Sequence, residues 1–207
     1  MTPPKTCQAL FLRLQDEDNE EAWEEFVSIY RPVIYRMAVR KGLQSADAED
    51  LSQHVLVSIS KKISEWEHDP NRGRFRTWLQ TVVKNAVINA ITRKTQERGI
   101  GGTEAIAMFA QKPLETDDKA MFESEVRQEA FRHAADLVES EFKESTWRAF
   151  WLTSIEGMSP TDAAKELDKS VGSIYVSKSR VMDRIKRKVG ELLPEYDESP
   201  GTGGEAS

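Results

Sequence analysis

From Trp23 to Val189, apolar residues recur every three or four positions and hardly anywhere every two. That period belongs to helices that bury one side, since 3.6 residues complete a turn, and it leaves no place for a sheet. The expected fold class is therefore all-α. Trp23, Phe26, Val27, Tyr30, Val33, Ile34 and Met37 make the first stripe. Pro32 sits within it and removes a backbone donor, so a kink or short break is expected there. Gly42 can end that helix. A second helix opens at Ser45 or Asp47, with Ala48, Leu51, Val55, Ile59, Ile63 and Trp66 inward and Asp50, Gln53, Val57 and Lys61 outward. Leu56 falls on its flank. The segment HDPNRGR, residues 68–74, is turn chemistry. A third helix follows from about Arg74 to Lys94, with Phe75, Trp78, Leu79, Val82, Ala86 and Ala90 on a broad apolar face.

The period lapses once. Residues 99–117 hold three glycines and a proline, which reads as a linker. Two helical domains are thus expected, at 10–98 and 118–192, joined by a flexible linker at 99–117. An acidic, Gly/Pro-rich tail at 193–207 reads as disordered. The second domain starts with a long helix striped by Met121, Val126, Phe131, Ala134, Leu137 and Val138. Another helix carries Trp147, Phe150, Trp151 and Ile155.

Several function classes drop out. No run approaches a membrane span, and the N-terminus lacks the apolar core of a signal peptide, so no membrane insertion is expected. The one cysteine, Cys7, cannot form an internal disulfide and suits a reducing cytoplasm. His54, His68 and His133 lack metal-ligand spacing, and no carboxylate cluster or nucleophile–base pair stands out. No metal, cofactor or catalytic set is expected.

Charge is the next constraint. The net charge is −6, yet Arg72 to Arg98 holds seven basic residues against Glu97, and Lys169 to Lys188 holds seven against Asp183. Local basic stretches matter more for nucleic-acid contact than the total. The second stretch has a further mark. Ser159-Pro160-Thr161-Asp162 is a strong helix start, with an N-cap serine, proline at the first position and an acid by the positive helix end. That helix ends near Leu167. A tight turn follows, and Ser170 caps the next helix. A short helix, a tight turn and a longer basic helix make the shape of a helix-turn-helix, whose second helix enters the major groove. Its core side would be Val171, Ile174, Val181, Ile185 and Val189. Gly172 and Ser173 permit close approach, Tyr175, Val176 and Ser179 can touch base edges, and Arg180 suits guanine or a phosphate. Arg184, Lys186, Arg187 and Lys188 suit phosphates. An amphipathic helix packed in an all-α bundle is the alternative reading of the same residues.

Several motifs resemble the sigma-70 family of bacterial sigma factors, most of all its small extracytoplasmic-function group. D-A-E-D-L-S-Q at 47–53, R-F-R-T-W-L at 74–79, K-N at 84–85, E-G-M-S at 156–159 and S-V-G-S-I at 170–174 occur in the family's order. The resemblance spans both expected domains. It implies a protein without catalysis of its own that binds core RNA polymerase, through the clamp helices and the flap of the large subunits, and promoter DNA. An anti-sigma factor is a further partner of this kind. Asp47, Asp50, Leu51, Gln53, His54, Val57 and Lys61 would face the polymerase. Arg74, Arg76, Lys84, Asn85, Asn89, Arg93 and Lys94 would contact the −10 element, with a flipped base held by the loop at about 66–74. Gly172, Ser173, Tyr175, Val176, Ser179, Arg180, Arg184 and Arg187 would read the −35 element. The chain departs from the family at His54, where glutamate is usual, at Asn89, where aspartate is common, and at Tyr175 and Val176, which replace a basic residue and a serine. A stand-alone helix-turn-helix regulator, needing no polymerase, is the alternative.

Overall fold

The structure, a computed structural model, describes residues 10–16, 19–63, 75–97 and 116–193. Of the linker expected at 99–117, residues 99–115 lie outside the described residues, as do the loop at 66–74 with Trp66 and Arg74 and the tail from 194; residues 116 and 117 are helix rather than linker. Among those described, every regular element is a helix: α1 Leu10–Leu14, α2 Glu20–Arg40, α3 Ser45–Ile63, α4 Phe75–Glu97, α5 Thr116–Glu139, α6 Glu144–Ser154, α7 Pro160–Glu166 and α8 Val171–Leu192. The chain divides into two compact units between Glu129 and Ala130, inside α5.

In the first unit α2 is the spine. Asn19 caps it, its side-chain oxygen accepting the Ala22 N–H at 3.0 Å, and Glu20 and Glu21 sit at the positive end. Phe26, Ile29, Val33 and Ile34 are fully buried, each contributing about 1.5–3 kcal/mol by leaving water. The Phe26 ring lies 4.5 Å from Tyr30, 5.4 Å from Trp23 and 6.4 Å from Phe75. The helix is continuous through Pro32 rather than broken there. Proline inside a helix costs about 3 kcal/mol, and the buried run from Phe26 to Ala38 outweighs that. Gly42, at φ 96°, ends the helix in a Schellman turn: Leu43 N–H reaches the Ala38 carbonyl and Gly42 N–H that of Val39. This turn sends α3 back along α2.

The inward faces of α3 and α4 differ from expectation by part of a turn. On α3, Ala48, Ser52, Val55, Leu56, Ile59 and Ile63 are buried, while Leu51 is only half-buried. On α4, Leu79, Gln80, Val83 and Val87 are buried, and Val82, Ala86 and Ala90 are half-buried. The first part of α5 belongs to this unit, whereas the sequence placed residues from 118 with the second domain. Phe122 and Val126 are fully buried, Phe122 stacks 6.5 Å from Tyr30, and Arg36 of α2 pairs with Glu125 at 2.6 Å and Glu129 at 2.5 Å. An unforeseen short helix, α1, buries Leu10 and Leu14 and ties Arg13 to the buried Glu25 at 2.5 Å.

The second unit is built from the rest of α5 with α6, α7 and α8. Ala149, Leu152, Ala163, Ala164 and Ile174 form its centre, with Met158 and Leu167 packed against them. The alanines let α7 lie close, which fits a helix of seven residues into the angle between α6 and α8. Helix α8 continues through Gly190 to Leu192, whose side chain is buried. Trp151, Ile155 and Leu137, expected inward, are exposed.

Candidate nucleic-acid and protein interfaces

Each candidate face follows from how its helix is held. The α7–α8 turn depends on Asp168, at φ 49°. There Lys169 N–H reaches back to the Ala164 carbonyl at 2.9 Å, closing α7 as Gly42 closes α2. At the start of α7, Ser159 and Asp162 bond each other twice. The Asp162 N–H donates to Ser159 Oγ at 3.1 Å, and the hydroxyl donates to the Asp162 carboxylate at 2.7 Å. That hydroxyl, and then Lys165, hold the Asp162 carboxyl below its usual pKa. Ser170 caps α8, its Oγ accepting from the Ser173 N–H at 3.1 Å.

Two ties brace α8 against its own unit. Lys169 Nζ donates to the Ser145 carbonyl at 3.1 Å and to its hydroxyl at 2.8 Å. Arg184 makes a two-pronged pair with Glu141, both bonds at 2.6 Å. This bond, with the nearby Arg187 and Lys188, lowers the Glu141 pKa, and Glu141 in turn raises that of Arg184. Arg184, expected at a phosphate, is here paired with a carboxylate of its own unit.

What α8 then shows outward is a continuous face. Gly172, Tyr175, Val176, Ser179, Arg180, Asp183, Lys186 and Arg187 are exposed, and Ser173 is half-buried at its edge. Val171, expected in the core, is exposed as well, while Ser177 is buried and Lys178 half-buried. The N-terminal half of this face is apolar and uncharged, the C-terminal half basic. A cation-rich end beside a bare, small-residue start suits phosphates flanking a groove that the helix start enters.

In the first unit, Asn85 and Asn89 are exposed one turn apart on α4. The fold extends their line in both directions, to Thr77 and Thr81 and to Arg93, all exposed and four apart. The threonines were missed because alone they carry no chemistry; only the exposed edge joins them to the asparagines. Thr81 bonds back to the Thr77 carbonyl at 2.9 Å, so its hydroxyl is oriented. Lys84 is half-buried beside this edge. Arg76 and Lys94 fall in α4, but their side chains lie outside the described residues, as does all of Arg74. Trp78 is half-buried, its ring 5.5 Å from Phe75. A line of neutral amides and hydroxyls ending in a cation can bond unpaired base edges and a phosphate.

On α3, Asp50, Gln53, His54, Val57 and Lys61 are exposed along one stripe, with Asp47 and Leu51 half-buried at its side. Val57, 52% exposed, is a large apolar residue in a polar surround. His54 Nδ1 lies 2.7 Å from the Asp50 carbonyl, so that nitrogen carries the proton and the ring is fixed on the stripe. An apolar centre with a polar rim is the anatomy of a protein contact. Among the described residues, no group of three or more His, Cys, Asp or Glu is placed to hold a metal, and no helix is long and apolar enough to cross a membrane.

Comparison with known proteins bears on the same segments. Residues 26–97, from the middle of α2 to the end of α4, match the family model described as Sigma-70 region 2. The chain is 24% identical over 199 residues to the ECF RNA polymerase sigma-E factor of Escherichia coli, covering 93% of this chain and 99% of that one. It is 25% identical over 171 residues to the ECF RNA polymerase sigma factor SigE of Mycolicibacterium smegmatis, covering 82% of this chain but 62% of the relative. With SigW of Bacillus subtilis it shares 29% over 97 residues, half of that protein's length.

Proposed function

The chain belongs to the extracytoplasmic-function group of the sigma-70 family, and on that premise we propose that it binds core RNA polymerase and directs it to a set of promoters. The observation that carries this is the order of parts in one chain. A region-2 match ends at residue 97, and a capped helix-turn-helix with an exposed basic second helix follows. The α3 stripe from Asp50 to Lys61 takes the polymerase, with Asp47 and Leu51 at its side. The α4 edge, with the basic residues around it, takes the unpaired strand of the −10 element. The outer face of α8 takes the −35 element as duplex. Polymerisation belongs to the core enzyme; the chain supplies recognition and strand opening. Two modest DNA contacts joined through one polymerase gain affinity from each other's proximity.

The test is transcription in vitro with purified core polymerase on genomic fragments, with start sites mapped. The expected result is a small set of start sites, absent without the chain, that share upstream elements. A chain that binds those fragments tightly alone and adds no transcripts with core is a stand-alone regulator instead.

A further inference from the structure

The outer face of α8 carries two large apolar side chains where a groove-reading helix makes its first base contacts. Tyr175 is 57% exposed and Val176 53%. Both lie off the inward side of their own unit, which Ile174, Ser177 and Val181 fill on the same turns. Adjacent on the outer face, the two form an apolar spot open to a ligand. The neighbours say by what. Gly172 lies one turn before Val176 and Arg180 one turn after it, on the same line. A Cβ built on Gly172 would meet nothing nearer than Ser170 Oγ at 4.0 Å, so the helix surface there is bare and open. Beyond Arg180, Lys186 and Arg187 are exposed too. Cations at one end fit a polyanion and argue against a greasy protein partner across the whole face.

Within the major groove only one base offers an apolar group at its edge: thymine, through its C5-methyl. We propose that Val176, with Tyr175 beside it, reads thymine methyls in the upstream promoter element, and that Arg180 reads or anchors the neighbouring step. Val176 then sets specificity by burying its methyls against a thymine methyl, a contact that cytosine and purines at that position cannot make. Arg184 does not share in this reading, because Glu141 holds it. The inference rests on the promoter-directing role proposed above.

The experiment uses the full chain with core polymerase. An upstream duplex element is selected from a randomised library, and each thymine in it is then replaced singly by uracil, which removes the C5-methyl and nothing else. One or two positions are expected to lose about fourfold in affinity, the worth of one buried methyl. In the Val176→Ala chain those same replacements should cost nothing further, while in the Arg180→Ala chain the uracil penalty should persist. Val176 is exposed, so its truncation leaves the fold intact, and the circular dichroism melt should be unchanged. Uracil tolerated everywhere, or a penalty undiminished in Val176→Ala, overturns the inference while leaving the promoter role standing. If no upstream element is enriched at all, the promoter role falls and takes this inference with it.

Discussion

Asp168 and Gly172, four residues apart, hold opposite kinds of backbone constraint. Asp168 sits at φ 49°, a left-handed conformation in which a β-branched side chain strains against its own carbonyl. Asp168→Val is expected to cost about 1–2 kcal/mol, read as an earlier thermal melt, while Asp168→Gly should not. A valine variant melting like the parent would mean that the turn tolerates another path. Gly172 lies in ordinary helical backbone with open space where a Cβ would go. Nothing in the fold needs glycine there, so Gly172→Ala should stabilise the chain, by up to about 1 kcal/mol. If the bare surface exists for close approach of DNA, the same variant should bind its upstream element more weakly. Stability rising while affinity falls separates a surface kept for a ligand from one kept for folding.

At the scale of elements, the helices were readable and their facing was less so. Caps are local chemistry, so Ser159, Ser170 and Gly42 could be named from the chain alone. Facing is a tertiary matter. On α4, Leu79, Val83 and Val87 alternate with Val82, Ala86 and Ala90, two apolar lines on one helix, and only the packing of α3 and α2 against it decides which is buried. Pro32 leaves α2 unbroken for the same reason, since packing outweighs a local penalty. The sites follow this division. Asn85, Asn89 and the α8 face were legible as residue types on a period, but the partner of Arg184 was not, because Glu141 is 43 positions away. The elements also carry a pH dependence. The carboxyls of Glu141 and Asp162 sit below their usual pKa, Glu141 chiefly through Arg184 and Asp162 chiefly through Ser159. A lowered folded pKa stabilises fully above the unfolded value and is lost as pH falls through the folded one. The second unit should therefore weaken below about pH 4. In denaturant melts across pH, the double variant Glu141→Gln, Asp162→Asn should show a flatter acid limb; an unchanged limb would place the effect in other carboxylates. For α3, Val57→Asp puts a charge at the apolar centre of the stripe without touching the core. It should weaken core-polymerase binding by about tenfold, in the range of a central interface residue, and leave the melt unchanged.

On the scale of the whole molecule, a net charge of −6 opposes approach to a polyanion, yet the outer face of α8 is basic. The two are compatible if the upstream contact works only alongside polymerase, where proximity replaces affinity. An acidic chain with only local cationic stretches should bind random duplex poorly, which would keep it from being absorbed by nonspecific DNA. How far this holds is set by the number of α8 cations that meet phosphates, and in the free chain these cations are not equivalent. Arg187 is exposed, whereas Arg184 is committed to Glu141. A cation that neutralises a phosphate releases a counterion, so removing it lowers the slope of log affinity against log salt by about 0.9. For polymerase with the full chain on a promoter fragment, Arg187→Ala should reduce the slope by that amount. Arg184→Ala should leave the slope unchanged and lower the melting temperature, because it breaks the tie that braces α8. Equal slopes lost by both variants would mean that Glu141 surrenders Arg184 when DNA arrives, and that the brace is exchanged for a phosphate on binding.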